Sequence, residues 1–248
     1  MSTKLARYVF RKIRGRIIPV RIGAETKTTI KNFSKSALRK LQGYENKMID
    51  RKIKAFTSDS VVKIPVFHGS NYNFSKFSHS KIGSSKGTAQ GRGFYFTRNK
   101  KEAESYGKNV KKFYLKMKNP AIGSFNDGFT QKTISKNDLE KVLKSGDLSD
   151  YGEFASRSKV ASDLLKYNTN DVDIINDAGV SIFRNNWKKT LEKFRKYTGI
   201  DGSIAGDTKT THYVAYNTDQ IMKAPKRNNV YSKLLKINRK KKNKRRGR

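Results

Sequence analysis

Cysteine is absent from the 248 residues, which excludes disulfides, thiolate zinc sites and a cysteine nucleophile together. Carboxylates are scarce: 20 Asp and Glu stand against 56 Lys and Arg, for a formal net charge of +36. A field that positive opposes compaction and draws polyanions, with nucleic acid the first candidate and an anionic membrane surface the second. Long apolar runs are missing as well. The longest aliphatic run near the N-terminus is Ile17-Ile18 before Pro19, so neither a secretory signal nor a transmembrane span is expected. The first acid is Glu25, and an acid-free basic opening also suits a mitochondrial transit peptide. The basic character persists to the C-terminus, which favours an arm that contacts nucleic acid. Hydrophobic residues make up 35% and charged residues 31%, enough for a core over part of the length but not all of it.

Three regions separate by composition. Residues 1–58 hold a basic arm (Tyr8 to Val20) and then a stretch in which Leu38, Leu41, Met48, Ile49, Ile53 and Phe56 recur at near-helical spacing among lysines and arginines. That pattern predicts an amphipathic helix with a basic outer face, set either against the main domain or toward nucleic acid. Residues 59–226 carry mixed signals. Strands are expected at Ile64–Phe67, Phe94–Thr97, Phe113–Leu115 and Tyr213–Tyr216 from their aromatic and β-branched content. Helices are expected from Asn99 to Tyr106 before Gly107, from a Ser135 cap to Lys144, and from Asn186 to a stop at Gly199. Residues 147–180 show no clear period. The tail, 227–248, ends in ten residues of which eight are basic and none apolar, so it is expected to be disordered until it meets an anion.

Three segments bear chemistry. Val66-Phe67-His68-Gly69-Ser70 ends a strand in a turn where an imidazole can face a cleft, although a lone histidine there is more often structural. Gly91-Arg92-Gly93 precedes the Phe94–Thr97 strand, where glycine allows close backbone approach to a flat or phosphorylated ligand. Thr211-His212-Tyr213-Val214-Ala215-Tyr216 forms the late strand, followed by Asn217-Thr218-Asp219-Gln220-Ile221.

Together these segments resemble the NAD-binding core of ADP-ribosyltransferases of the His-Tyr-Glu type, above all the small phage and mobile-element versions. The shared features are the His-Gly-Ser turn, the Gly-Arg-Gly-Phe-Tyr-Phe-Thr strand, a following helix ending in Tyr106-Gly107, the turn Gly199-Ile200-Asp201-Gly202 and the final strand. The eleven-residue step from Tyr95 to Tyr106 equals the step between the nicotinamide-flanking tyrosines of the polymerases in that group. The resemblance implies an α+β fold with a split mixed β-sheet and flanking helices, and NAD as substrate with no metal. It assigns cofactor binding to His68, Gly69, Ser70, Tyr95 and Tyr106: His68 on the adenosine ribose, the Gly69 backbone on the nicotinamide amide, and the tyrosines on the nicotinamide ring. His68, Tyr95 and His212 take the catalytic positions.

The chain departs from the pattern twice. Ala103 stands where the polymerases place a serine that holds the nicotinamide amide. His212 stands where the catalytic glutamate is expected, so the carboxylate that would stabilise an oxocarbenium-like state is missing from that strand. Asp201, Asp207 and Asp219 are the nearest replacements in sequence. Three readings stay open: a mono-ADP-ribosyltransferase with a substitute carboxylate, a transferase acting on nucleic acid, and a degenerate fold kept for binding or architecture. The basic ends imply sequence-independent contact with nucleic acid. The phage likeness places the chain in a virion, alongside other virion proteins, or in the bacterial host cytoplasm.

Overall fold

The computed structural model describes residues 8–13, 16–21, 35–82, 91–125, 131–152, 155–206 and 210–227. The chain divides into two units, Met1–Lys52 with Pro225–Arg248, and Ile53–Ala224.

In the first unit, strands β1 (Tyr8–Ile13) and β2 (Arg16–Arg21) pair antiparallel, Tyr8 opposite Arg21. The arm expected from composition is thus a two-stranded ribbon. Helix α1 (Lys35–Phe56) begins in this unit and ends in the second. Ile49, Ile53 and Phe56, spaced i, i+4, i+7, are half-buried, as one helical face requires. Met48, expected on the same stripe, is 63% exposed, because one position of offset turns it about 100° away from that face. The side chains of Leu38 and Leu41 lie outside the described residues, as does the basic tail beyond Arg227.

The second unit is built on a seven-stranded sheet in the order β6-β7-β8-β4-β3-β5-β9, from β3 (Val66–His68), β4 (Phe94–Thr97), β5 (Lys111–Leu115), β6 (Pro120–Phe125), β7 (Gly202–Gly206), β8 (Thr211–Ala215) and β9 (Ile221–Lys223). Its one parallel pair is β6 with β7. Alternation along the strands sends Phe94 and Phe96 of β4 to one face, where they pack with Val66, Phe113, Leu115 and Tyr213. It sends Val214 to the other face, where a larger core forms with helices α3 (Lys136–Leu143), α4 (Arg157–Tyr167), α5 (Asp171–Asp177) and α6 (Trp187–Thr198). Tyr95 packs on this second core.

The sheet is mixed and split, as expected. Strand β4 pairs with β8 over four residues, but with β3 through the single pair Phe67–Thr97. The four strands β6-β7-β8-β4 and the three strands β3-β5-β9 therefore meet along a narrow seam. The helix caps follow the sequence signals: Ser135 accepts from the Asp138 amide at 3.1 Å, Asn186 from the Lys189 amide at 3.1 Å, and Gly199 closes α6 in the left-handed region at φ +74°. Residues 147–180, without a period in the sequence, contain α4 and α5, and a wider π-type turn runs from Ala178 to Ile182 at their end.

Candidate active site

Immediately after β4, the Asn99 carboxamide caps helix α2 (Lys100–Ser105) by accepting from the Lys101 amide at 2.9 Å. This short helix is locked against the His-Gly-Ser turn. A Cβ on Gly69 would stand 1.7 Å from the Ala103 carbonyl oxygen, and one on Gly107 2.2 Å from the Ser70 carbonyl carbon. Only glycine at both positions lets the two backbones meet. Ser70 braces the turn, its carbonyl accepting from the Asn109 amide at 3.0 Å and its hydroxyl from the Tyr72 amide at 3.1 Å.

His68 sits on the phenylalanine side of the sheet, ringed by Phe74, Phe77, Phe96 and Phe113 at centroid distances of 5.0–6.5 Å. Its Nδ1 lies 2.7 Å from the Tyr95 carbonyl oxygen. A carbonyl accepts only, so Nδ1 carries the proton and Nε2 keeps a lone pair in the neutral ring. Burial holds the imidazole below its ordinary pKa, with the Lys111 charge adding to the depression and the Tyr95 hydrogen bond opposing it.

Tyr95 and Tyr106 both approach the His212 ring. Their ring centroids are 6.4 and 6.5 Å from the imidazole, both edge-on. The Tyr95 hydroxyl donates to the Gly91 carbonyl, which gives the glycine segment a structural use, and Arg92 lies 5.0 Å over the Trp187 ring. Tyr106 stays half-exposed, and burial followed by the Glu102 charge raises its phenol pKa.

The residue the sequence did not single out is Glu102. Its Oε1 lies 2.5 Å from His212 Nε2, and its Oε2 accepts from the Thr97 hydroxyl. The carboxylate is 13% exposed and the imidazole 17%. A carboxylate from α2 is thus bound to the histidine that stands at the expected glutamate's position on β8. His212 Nδ1 is buried and has no partner among the described residues.

The carboxylates weighed from sequence are engaged elsewhere. Asp201 is buried and accepts from the amides of Lys118 and Asn119 at 2.8 and 3.0 Å. Asp219 is exposed and pairs with Arg195 at 3.3 Å, while Asp207 lies outside the described residues. Gln220 of the late motif is also a fold element: it accepts from the amides of Tyr216 and Asn217 and donates to the carbonyls of Lys116 and Asp201. A cavity of about 460 Å³ beside α6, lined by Glu192, Arg195, Lys196, Asn217, Thr218 and Asp219, includes Asp219 but none of His68, Gly69, Ser70, Tyr95, Tyr106 and His212.

A split mixed sheet with flanking helices is the α+β fold of an ADP-ribosyltransferase domain. Residues 62–231 match the family described as "ADP-Ribosyltransferase in polyvalent proteins", and the chain belongs to that family. No curated protein and no solved structure matches it. ADP-ribosyltransferase domains take NAD as substrate, and among the described residues no cluster of histidines and carboxylates is suited to hold a metal.

Proposed function

We propose that the domain, residues 59–226, is a mono-ADP-ribosyltransferase that moves ADP-ribose from NAD to a protein or nucleic acid of a bacterial host. The observation that carries the reading is the placement of His212 beside the rings of both Tyr95 and Tyr106, with the Glu102 carboxylate bound to it. A pyridinium ring suits flanking aromatic faces, and a carboxylate nearby suits the positive charge that develops on the ribose as the glycosidic bond breaks. On this reading His68 Nε2, with its lone pair, accepts from the adenosine ribose, while Gly69 and Ser70 present backbone to the nicotinamide amide. The basic ends hold the protein on nucleic acid by sequence-independent phosphate contact. Together with the phage-like motifs, they support a virion-associated, phage-encoded protein.

A second reading rests on His212 itself: a strand without its own glutamate suits a virion part whose transferase fold no longer turns over. Copy number separates the two, since a structural part is present in many ordered copies per particle and an injected effector in few. The direct test is transfer of label from adenylate-labelled NAD into a bacterial lysate by wild type and His68→Ala. Transfer by wild type that disappears with His68→Ala supports the enzyme. Absence of transfer from wild type, with NAD cleavage gained by His212→Glu, supports the vestigial fold.

A further inference from the structure

Thr97, Glu102 and His212 form a chain from β4 through α2 to β8. His212 and Glu102 stand 110 positions apart in sequence, so the fold rather than local order brings them together. We propose that Glu102 is the carboxylate of this site and acts through His212, an assignment that rests on the transferase reading above. Both carboxylate oxygens are committed, Oε1 to the His212 ring and Oε2 to the Thr97 hydroxyl. Glu102 is therefore a positioning residue that acts through the His212 ring, which is 17% exposed.

The hydrogen bond sets the tautomer. A carboxylate accepts, so Nε2 of the neutral ring carries the proton and Nδ1 the lone pair. The neutral ring and the carboxylate together bear the negative charge that histidine alone lacks, in a partly desolvated setting that strengthens its effect. In the reaction the bond between ribose C1″ and the nicotinamide nitrogen breaks, and its electron pair goes to that nitrogen, so nicotinamide leaves neutral. An oxygen or nitrogen of the acceptor forms the new bond to C1″. The acceptor's proton is lost to solvent. Glu102 fixes the His212 ring and supplies negative charge through it as positive charge develops on the ribose, much as an acid orients the histidine of a hydrolase triad. The pair lies beside Tyr95 and the half-exposed Tyr106, the residues assigned to the ligand ring.

The test measures nicotinamide release and label transfer by the full chain for wild type, Glu102→Gln, and the double variant Glu102→Gln/His212→Glu, each checked for folding by circular dichroism. Glu102→Gln is expected to lower kcat by about 10² to 10³-fold, the loss typical of one electrostatic group, with KM for NAD nearly unchanged. The double variant places a carboxylate on β8 and is expected to restore most of that loss, with KM for NAD again nearly unchanged. A Glu102→Gln variant that keeps wild-type kcat, or a double variant as inactive as the single one, overturns the assignment and leaves the transferase reading intact. A wild type inactive on NAD removes both. Should Glu102→Gln fail to fold, Thr97→Val frees Oε2 while keeping the charge. It is then expected to lower kcat about tenfold, the worth of one hydrogen bond to a charged group, and an unchanged kcat overturns the proposal.

Discussion

The His68 ring donates from Nδ1 to the Tyr95 carbonyl across the seam where β3 and β4 share only the Phe67–Thr97 pair. A side chain thus continues the join where the backbone ladder stops. This contact has a pH signature. Because burial depresses the folded-state pKa of His68, the unfolded chain binds a proton more readily than the native one. The stability this group contributes is present above the unfolded value near 6.5 and is lost as pH falls through the lower folded value. Its limiting slope is about 1.4 kcal/mol per pH unit. Chemical denaturation of wild type and His68→Asn between pH 5 and 7.5 checks this. The wild type should lose stability faster on acidification, and parallel curves would refute the assignment.

Gly69 makes a second prediction, about packing. The backbone oxygen of Ala103, only 1.7 Å from where an alanine Cβ would stand, belongs to a capped helix and cannot swing away as a side chain could. Gly69→Ala should therefore cost about 1–3 kcal/mol, as overpacking does, and displace α2 together with Glu102. Denaturation reads the first effect and NAD turnover the second. A variant as stable and as active as wild type would show that the turn and helix are not locked.

The elements that announced themselves in the sequence are those whose signals are local. Strands β4 and β8 carry aromatic and β-branched residues, α2 and α3 open on Asn99 and Ser135, and α6 stops at Gly199. Strands β6 and β7 were hidden because Gly123, Gly202 and Gly206 are weak strand formers, and pairing with neighbours overrides that preference. Helices α4 and α5 were hidden because the core there is partly polar. Asp171 is fully buried and accepts from the amides of Thr133 and Ile134 at 2.9 and 3.0 Å, which interrupts the apolar period. At the site, the positions of Tyr95, Tyr106 and His212 were legible from motif spacing. Glu102 was not, since a six-residue helix shows no face and its partner is distant in sequence. Asp201 and Gln220 belong to legible motifs, yet their side chains serve the backbone.

Tyr106 separates binding from folding. Its ring is 48% exposed, so removing it uncovers little of the core, whereas the proposed nicotinamide contact is lost. Tyr106→Ala is expected to weaken NAD by about 2- to 13-fold in KM, the equivalent of ~0.5–1.5 kcal/mol for one aromatic contact, with thermal stability close to wild type. Tyr106→Phe retains the ring and should retain the affinity. Steady-state kinetics on both variants decides the matter: equal KM values for Tyr106→Ala and wild type would remove the residue from the site.

The last prediction concerns the ends of the chain. Glu25, Glu45 and Asp50 are the only acids before Asp59, and none follows Asp219, so the positive field is carried disproportionately by the termini. If these engage phosphates, binding to duplex DNA should fall linearly on a log–log plot against salt, by about 0.9 for each phosphate neutralised. Substituting Lys240, Lys241, Lys242 and Lys244 by Gln should lower the magnitude of that slope by roughly 3–4, equally on unrelated sequences, because backbone contact carries no sequence information. Fluorescence anisotropy across a salt series on two unrelated duplexes measures both quantities. A slope unchanged by the four substitutions would take the tail out of the interface, and affinities that differ strongly between the duplexes would replace phosphate contact with base readout.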